Sequence, residues 1–105
     1  PLLAQKRWRE AANYATQVLA TASWNYFAHI RLMICEEGQG QWKTLELHAD
    51  SVASRYPADA TVLVYLARAR SRLGKTSSAR ATYKKVLARV PGHVEATQYL
   101  NNLGR

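Results

Sequence analysis

The sequence repeats itself with a period of 34 residues, and this period restricts the possible folds more than any other feature. Three pairs of unrelated residue types share it: Trp8 and Trp42, Gly40 and Gly74, and Pro57 and Pro91. Apolar residues recur in the same register, among them Val18, Val52 and Val86. A fixed period of this length is typical of a supersecondary unit stacked on copies of itself, so we predict a repeat architecture.

Within each unit the apolar residues follow the steps of three and four that define one face of an α-helix, as Leu63, Leu66 and Ala67 do. The repeated glycines suit left-handed C-caps, and the repeated prolines end a helix because proline lacks the amide hydrogen. We therefore predict two helices per unit and an all-α solenoid. The six predicted helices lie near residues 5–21, 24–38, 40–55, 59–73, 76–89 and 93–103. Asp59 and either Thr76 or Ser77 are the predicted N-caps.

The length of 105 residues, with 48% hydrophobic and 21% charged residues, is enough for one domain with its own core. No apolar run approaches the roughly 18–20 residues that a bilayer requires, and the N-terminus lacks the pattern of a signal peptide. We expect the chain to be soluble as given. The Ala- and Arg-rich composition suggests a bacterial protein, in the cytoplasm or the periplasm.

The net charge of +8 is concentrated in the C-terminal half. Six Lys/Arg balance six Asp/Glu in residues 1–59, whereas residues 60–105 contain nine Lys/Arg and a single acid, Glu95. An acidic partner would be attracted most strongly to this half. Four of its cations, Arg80, Lys84, Lys85 and Arg89, are predicted to form a solubilising surface, or alternatively to contact an acidic protein, nucleic acid or anionic lipid.

The sequence offers no set of residues suited to catalysis, a cofactor or a metal. The three histidines fall on different predicted elements, with no partnered carboxylate or cysteine at ligand spacing, and Cys35 has the position of a core residue. The segment Gly74-Lys75-Thr76-Ser77 lacks the earlier glycine and the preceding strand of a phosphate-binding loop. We therefore expect a protein that is not an enzyme.

These repeated positions match a known pattern, and the chain resembles the tetratricopeptide repeat family. The matching residues of the clearest unit are Leu63, Leu66, Ala67, Gly74, Ala79, Tyr83, Val86 and Pro91. The resemblance implies one domain over 1–105, in which 60–93 is the best repeat and 26–59 a degenerate one. Residues 1–25 and 94–105 resemble the second helix of an earlier repeat and the first helix of a later one, which suggests a fragment of a longer array. Ala67 and Ala79 would let the helix axes approach, and Leu66 and Tyr83 would fill the remaining space.

The resemblance also implies a binding surface, because the first helices of successive hairpins line a concave groove in this family. Carried over position by position, the groove residues are Phe27, Ile30, Arg31, Ile34, Thr61, Val64, Tyr65, Arg68, Arg72, Gln98, Tyr99 and Asn102. Phe27, Val64 and Tyr65 are alternatively residues that pack between repeats. Aromatic and arginine side chains often anchor protein interfaces, which favours a peptide, helix or partner domain of acidic character. The groove helices carry no lysine, so we do not expect a clamp for a terminal carboxylate.

The predicted function is therefore that of a non-catalytic scaffold or adaptor segment for protein–protein interaction. One alternative is a nucleic-acid-binding helical repeat that uses the basic half and the aromatic rings of Tyr65 and Tyr99. The 34-residue period and the glycine and proline markers argue against it. A second alternative is self-association through an exposed end of the array.

Overall fold

A computed structural model describes the backbone of residues 2–103 and the side chains of residues 7–103, and within this part the chain is all-helical. The six helices are α1 (Leu2–Thr21), α2 (Tyr26–Gly38), α3 (Trp42–Arg55), α4 (Ala60–Arg72), α5 (Thr76–Arg89) and α6 (Val94–Leu103). The predicted all-α class is confirmed, and each predicted boundary lies within three residues of the observed one. None of the described helices has both the length and the apolar character needed to span a membrane.

The repeated glycines make the turns inside the hairpins, as their spacing predicted. Gly40 and Gly74 have φ angles of 71° and 77°, in the left-handed region that glycine enters without steric cost. In both hairpins the next helix begins two residues after the glycine. The prediction of Thr76 or Ser77 as an N-cap was wrong. Lys75 occupies the cap position of α5 without a side-chain hydrogen bond, because the glycine turn fixes where the helix begins.

Polar side chains cap the helices that follow the longer connections. The Asp59 side chain accepts a hydrogen bond of 3.1 Å from the backbone N–H of Val62, as predicted for an N-cap. Asn25 does the same at the start of α2, where it accepts from the N–H of Ala28 at 3.0 Å. Each cap satisfies an amide that has no partner inside its own helix.

The helices pack in chain order, and α4 contributes to the core on both of its sides. One cluster joins α2, α3 and α4 around Met33, Leu45, Ala49, Val52, Val62, Leu66 and Ala69. The other joins α4, α5 and α6 around Leu63, Val64, Ala67, Tyr83, Val86 and Ala96. Cys35 is buried, as expected for a core residue. Burying each large apolar side chain stabilises the fold by roughly 1.5–3 kcal/mol. Helix α4 contributes side chains to both clusters, so it is the centre of the packing.

Candidate functional site

Helices α2, α4 and α6 share one side of the molecule, and a single arginine on α4 joins the other two. Arg68 donates two hydrogen bonds to Glu95 on α6, from Nε to Oε2 at 2.8 Å and from Nη2 to Oε1 at 2.7 Å. Its Nη1 donates to both oxygens of Glu37 on α2, at 3.2 and 3.0 Å. We call this side the α2–α4–α6 face.

The electrostatics of this group reflect strong charge-assisted hydrogen bonds. The hydrogen bonds from Arg68 lower the pKa of the Glu95 carboxyl, although burial opposes the shift. The same contact raises the pKa of Arg68. The hydroxyl of Tyr83 donates to Glu95 Oε2 at 2.8 Å, and burial, followed by the nearby carboxylate, raises the pKa of that phenol. A ligand carboxylate would therefore have to compete with two resident carboxylates for Arg68.

A cavity of about 320 Å³ opens beside Arg68 on this face. It is lined by Ala60, Thr61, Val64, Tyr65, Arg68, Val90 and His93. The guanidinium of Arg68 lies over the ring of Tyr65, with 5.3 Å from its central carbon to the ring centroid. His93 Nδ1 accepts a hydrogen bond of 3.3 Å from the Ala96 N–H, at the start of α6. The cavity thus combines an apolar wall with a few fixed polar groups, as ligand sites commonly do.

The groove residues predicted on α2 fall into two groups. Phe27 and Ile34 are 80% and 40% exposed, and Arg31 is exposed between them on the same side of the helix. Ile30 instead packs against the core cluster between α2, α3 and α4. The exposed pair leaves apolar area on α2 that the described residues do not cover.

The predicted groove residues on α4 and α6 also divide. Val64 is buried in the second core cluster, which fits the alternative prediction that it packs between repeats better than the prediction that it lines a groove. One edge of its side chain still reaches the cavity. Tyr65 is half-buried, and Arg72 is exposed with its guanidinium 5.1 Å from the Trp42 ring centroid. Tyr99 packs against Tyr83 at 4.5 Å between centroids, whereas Gln98 and Asn102 are exposed.

Sequence reasoning missed four contributors to this face: Glu37 and Glu95, which hold Arg68, and Val90 and His93, which line the cavity. The sequence did mark Glu95, because it is the only acid in residues 60–105, a segment that contains nine Lys/Arg. No comparable sequence signal marks the other three residues.

Two of the histidines meet a carboxylate and each other through contacts that the sequence did not indicate. His48 Nδ1 lies 3.0 Å from Glu36 Oε1, and His48 Nε2 lies 2.9 Å from His29 Nδ1. His29 Nε2 in turn lies 2.9 Å from the carbonyl oxygen of Ser23. Glu36 and His29 are two turns apart on α2, and His48 inserts between them from α3, so the contact exists only once the helices have packed.

Because the Ser23 carbonyl can only accept, His29 Nε2 donates the hydrogen bond to it, and the roles of the ring nitrogens in the other two contacts depend on their tautomers. The side chains of Glu36 and His48 are only 7% and 14% exposed, which leaves little room for a substrate. The group therefore stabilises the contact between α2 and α3.

Within the described part of the chain, no cluster of three or more His, Cys, Asp or Glu side chains could hold a metal ion. In comparisons with known proteins, the family model described as Tetratricopeptide repeat matches residues 61–93, which extend from the second residue of α4 through the glycine turn and α5 to His93 in the connection that follows. A search of curated proteins found no match to the chain.

Proposed function

The chain belongs to the tetratricopeptide repeat family, and from this membership we propose that it binds a protein partner on its α2–α4–α6 face. Repeats of this family generally mediate protein–protein interaction and are typically non-catalytic. The observation that carries the proposal is the cavity of about 320 Å³ beside Arg68. Helix α2, which Arg68 joins to α4 through Glu37, also carries the exposed apolar residues Phe27 and Ile34, so one ligand segment could cover both.

The proposed ligand is a peptide, a helix or a partner domain with one large apolar side chain for the cavity and carboxylates near Arg31 and Arg72. Among the described side chains, no carboxylate lies within 4 Å of either arginine, so both can accept a charge from outside. Arg68 differs, because Glu37 and Glu95 already hold it. The acidic character of the ligand is thus assigned to contacts with Arg31 and Arg72, and Arg68 is assigned to the positioning of the helices.

The same proposal divides the chain into repeats. Residues 26–59 and 60–93 are assigned as two hairpins, with α1 as the second helix of an earlier repeat and α6 as the first helix of a later one. The nearly equal φ angles of Gly40 and Gly74 support this division. So does the common conformation of the following residues, with φ and ψ of −84° and 67° at Gln41 and −86° and 67° at Lys75.

The test uses peptides selected from a displayed random library of 16-mers, with affinities measured by fluorescence anisotropy. Thr61 is exposed at the cavity, so Thr61→Gln adds bulk there and Thr61→Glu adds the same bulk with a negative charge. We expect acidic peptides with an aromatic or large apolar residue, whose binding weakens several-fold more with Thr61→Glu than with Thr61→Gln. The matched control Ser51→Glu changes an exposed position on α3 and should have no effect.

Two results would count against the proposal. The first is an equal change in the affinity of the selected peptides for the Thr61→Glu and Ser51→Glu variants, because the cavity would then have no part in binding. The other is tight binding of a single-stranded RNA of about 20 nucleotides that persists between about 50 and 200 mM salt. Such binding would favour the nucleic-acid alternative instead.

A further inference from the structure

A second cavity, of about 200 Å³, lies where α3, α4 and α5 meet, and we call it the α3–α4–α5 cavity. It shares no residue with the cavity beside Arg68, and none of its three helices is the first or the last of the described chain. Its floor is apolar, because Leu63 and Leu66 of α4 form it and are only 4% and 3% exposed. Its exposed rim carries opposite charges, Asp50 on α3 and Lys85 on α5. A ligand of this cavity is independent of the ligand proposed above.

The repeat shows why this cavity is open. The residues 34 positions before Leu63 and Arg70 are His29 and Glu36. In the first hairpin the ring of His48 contacts both of them, at 2.9 and 3.0 Å. The equivalent of His48 in the second hairpin is a threonine, whose side chain is shorter and has no ring. Leu63 and Arg70 therefore have no shared ring between them, and both line the cavity.

The charges of the rim are available to a ligand. Among the described side chains, no carboxylate lies within 4 Å of the Lys85 ammonium group. The Asp50 side chain is 62% exposed, and Arg70 Nη2 lies 3.6 Å from its Oδ1, which is too long for a hydrogen bond. Asp50 and Lys85 thus line one cavity without pairing with each other. A ligand with both charges matches such a rim better than an ion of either sign, which would meet a like charge.

We propose that the α3–α4–α5 cavity binds a free amino acid with a branched apolar side chain, in its zwitterionic form. The ammonium group of the ligand contacts Asp50 and its carboxylate contacts Lys85, while its side chain covers Leu63 and Leu66. Ser54 also lines the cavity and donates its own hydrogen to the Asp50 carbonyl at 3.1 Å, so its oxygen can accept from the ammonium group. Pockets for drug-sized ligands enclose roughly 300–1,000 Å³, so the smaller volume here suits a single amino acid.

The probes are L-leucine, leucinamide, N-acetyl-leucine and glycine. Leucinamide lacks the carboxylate, N-acetyl-leucine lacks the ammonium group, and glycine lacks the apolar side chain. Binding is followed by the NMR shifts of the Leu63 and Leu66 methyl groups in isotope-labelled protein. The titrations are made near pH 6.5, where α-amino groups are protonated, and at about 50 mM salt, where exposed charges are weakly screened.

Two protein variants and a matched control complete the design. Lys85→Gln removes the cation of the rim, and Asp50→Asn removes the anion. The control Lys84→Gln removes the neighbouring cation of α5, which is also exposed but does not line the cavity. All three residues are exposed, so the variants should fold, and the NMR spectrum of each variant reports this directly.

We expect L-leucine to bind roughly threefold to fivefold more tightly than leucinamide or N-acetyl-leucine, which is the range that one exposed ion pair contributes. In Lys85→Gln, leucine and leucinamide should bind within about twofold of each other, whereas Lys84→Gln should keep the original ratio. In Asp50→Asn, the preference for leucine over N-acetyl-leucine should be lost in the same way. Glycine should not shift the methyl groups, because it has no side chain to cover them.

Three results would overturn the proposal. The first is the absence of a methyl shift at about 50 mM leucine, because any Kd would then lie far above the millimolar range. The second is an unchanged ratio of leucine to leucinamide affinity in Lys85→Gln, since the carboxylate would then have no contact with this cation. The third is equal affinity for leucine and for leucine blocked at both ends, which would assign the cavity to a side chain of a protein partner instead.

Discussion

The guanidinium of Arg68 on α4 and the carboxylate of Glu95 on α6 form a two-point pair, with hydrogen bonds of 2.8 and 2.7 Å. The remaining amino group of Arg68 bonds to Glu37 on α2. The three helices are separated along the chain by α3 and α5, so this one side chain sets the spacing of alternate helices. The residue that looked most suited to bind an acidic ligand is committed to the fold.

Replacing Arg68 by glutamine should lower the free energy of unfolding by about 1–2 kcal/mol, measured by urea denaturation. The loss is moderate because the Arg68 side chain is 36% exposed and water screens the pair. Arg72→Gln is the control and should cost less than about 0.5 kcal/mol. A double-mutant cycle with Glu95→Gln should give a coupling of at least about 0.5 kcal/mol. Simple additivity of the two changes would show that the pair contributes nothing.

Stability should fall in acid through Glu46 and Glu95. Hydrogen bonds from Lys75 and from Arg68 hold the pKa values of these two carboxyls below their usual range. A carboxyl with a lowered folded pKa contributes its full stability above its unfolded value of about 4.3, and loses it as pH falls through the folded pKa. The urea midpoint should therefore drop between about pH 5 and 3. Glu46→Gln and Glu95→Gln should each flatten that drop, whereas Glu10→Gln, at an exposed position on α1, should leave it unchanged.

Two glycines should tolerate alanine poorly for different reasons. A Cβ on helical Gly38 would lie 2.5 Å from Cε2 of Trp8, so Gly38→Ala should cost about 1–3 kcal/mol despite alanine's better helix propensity. A Cβ on Gly74 would meet no described atom within 4 Å, but its φ of 77° should cost about 1–2 kcal/mol. Thermal denaturation of both glycine variants in a Trp8→Leu background distinguishes the two causes, because only the loss of stability from Gly38→Ala should become smaller there. Equal penalties in both backgrounds would contradict the contact with Trp8.

Replacing His48 by glutamine should destabilise the fold by about 1–3 kcal/mol, because it removes the partner of Glu36, which is only 6% exposed. His29→Gln should cost less, since the Ser23 carbonyl that it leaves is at an exposed residue and can bond to water. Urea denaturation near pH 7 compares the two variants. An equal loss of stability in the two variants would mean that the buried carboxylate of Glu36 does not depend on His48.

Truncating Leu66 to alanine should cost about 2–5 kcal/mol, because this side chain is 3% exposed and belongs to the core between α2, α3 and α4. Leu47 is the matched control: it is 62% exposed on α3, and its change to alanine should stay within about 0.5 kcal/mol. Thermal melts of the two variants test whether the repeated leucine position is part of the core. A similar shift in both would contradict that assignment.

The sequence by itself determined the helices, their order and much of the core. Turns at Gly40 and Gly74, the cap at Asp59 and apolar steps of three and four are local properties, so a single chain displays them before any packing. The buried positions of Leu66, Ala67, Ala79 and Tyr83 follow from the same steps. The family match over residues 61–93 rests on this local pattern.

The tertiary structure alone decided which charged and polar side chains meet. Arg68 reaches carboxylates 31 residues before it and 27 residues after it, and His48 reaches Glu36 from the neighbouring helix. Such contacts depend on the rotation of each helix about its axis and on the distance between axes, to about an ångström. Apolar periodicity fixes which face of a helix is buried, but it does not fix those two quantities, because many small rotations bury the same apolar residues equally well.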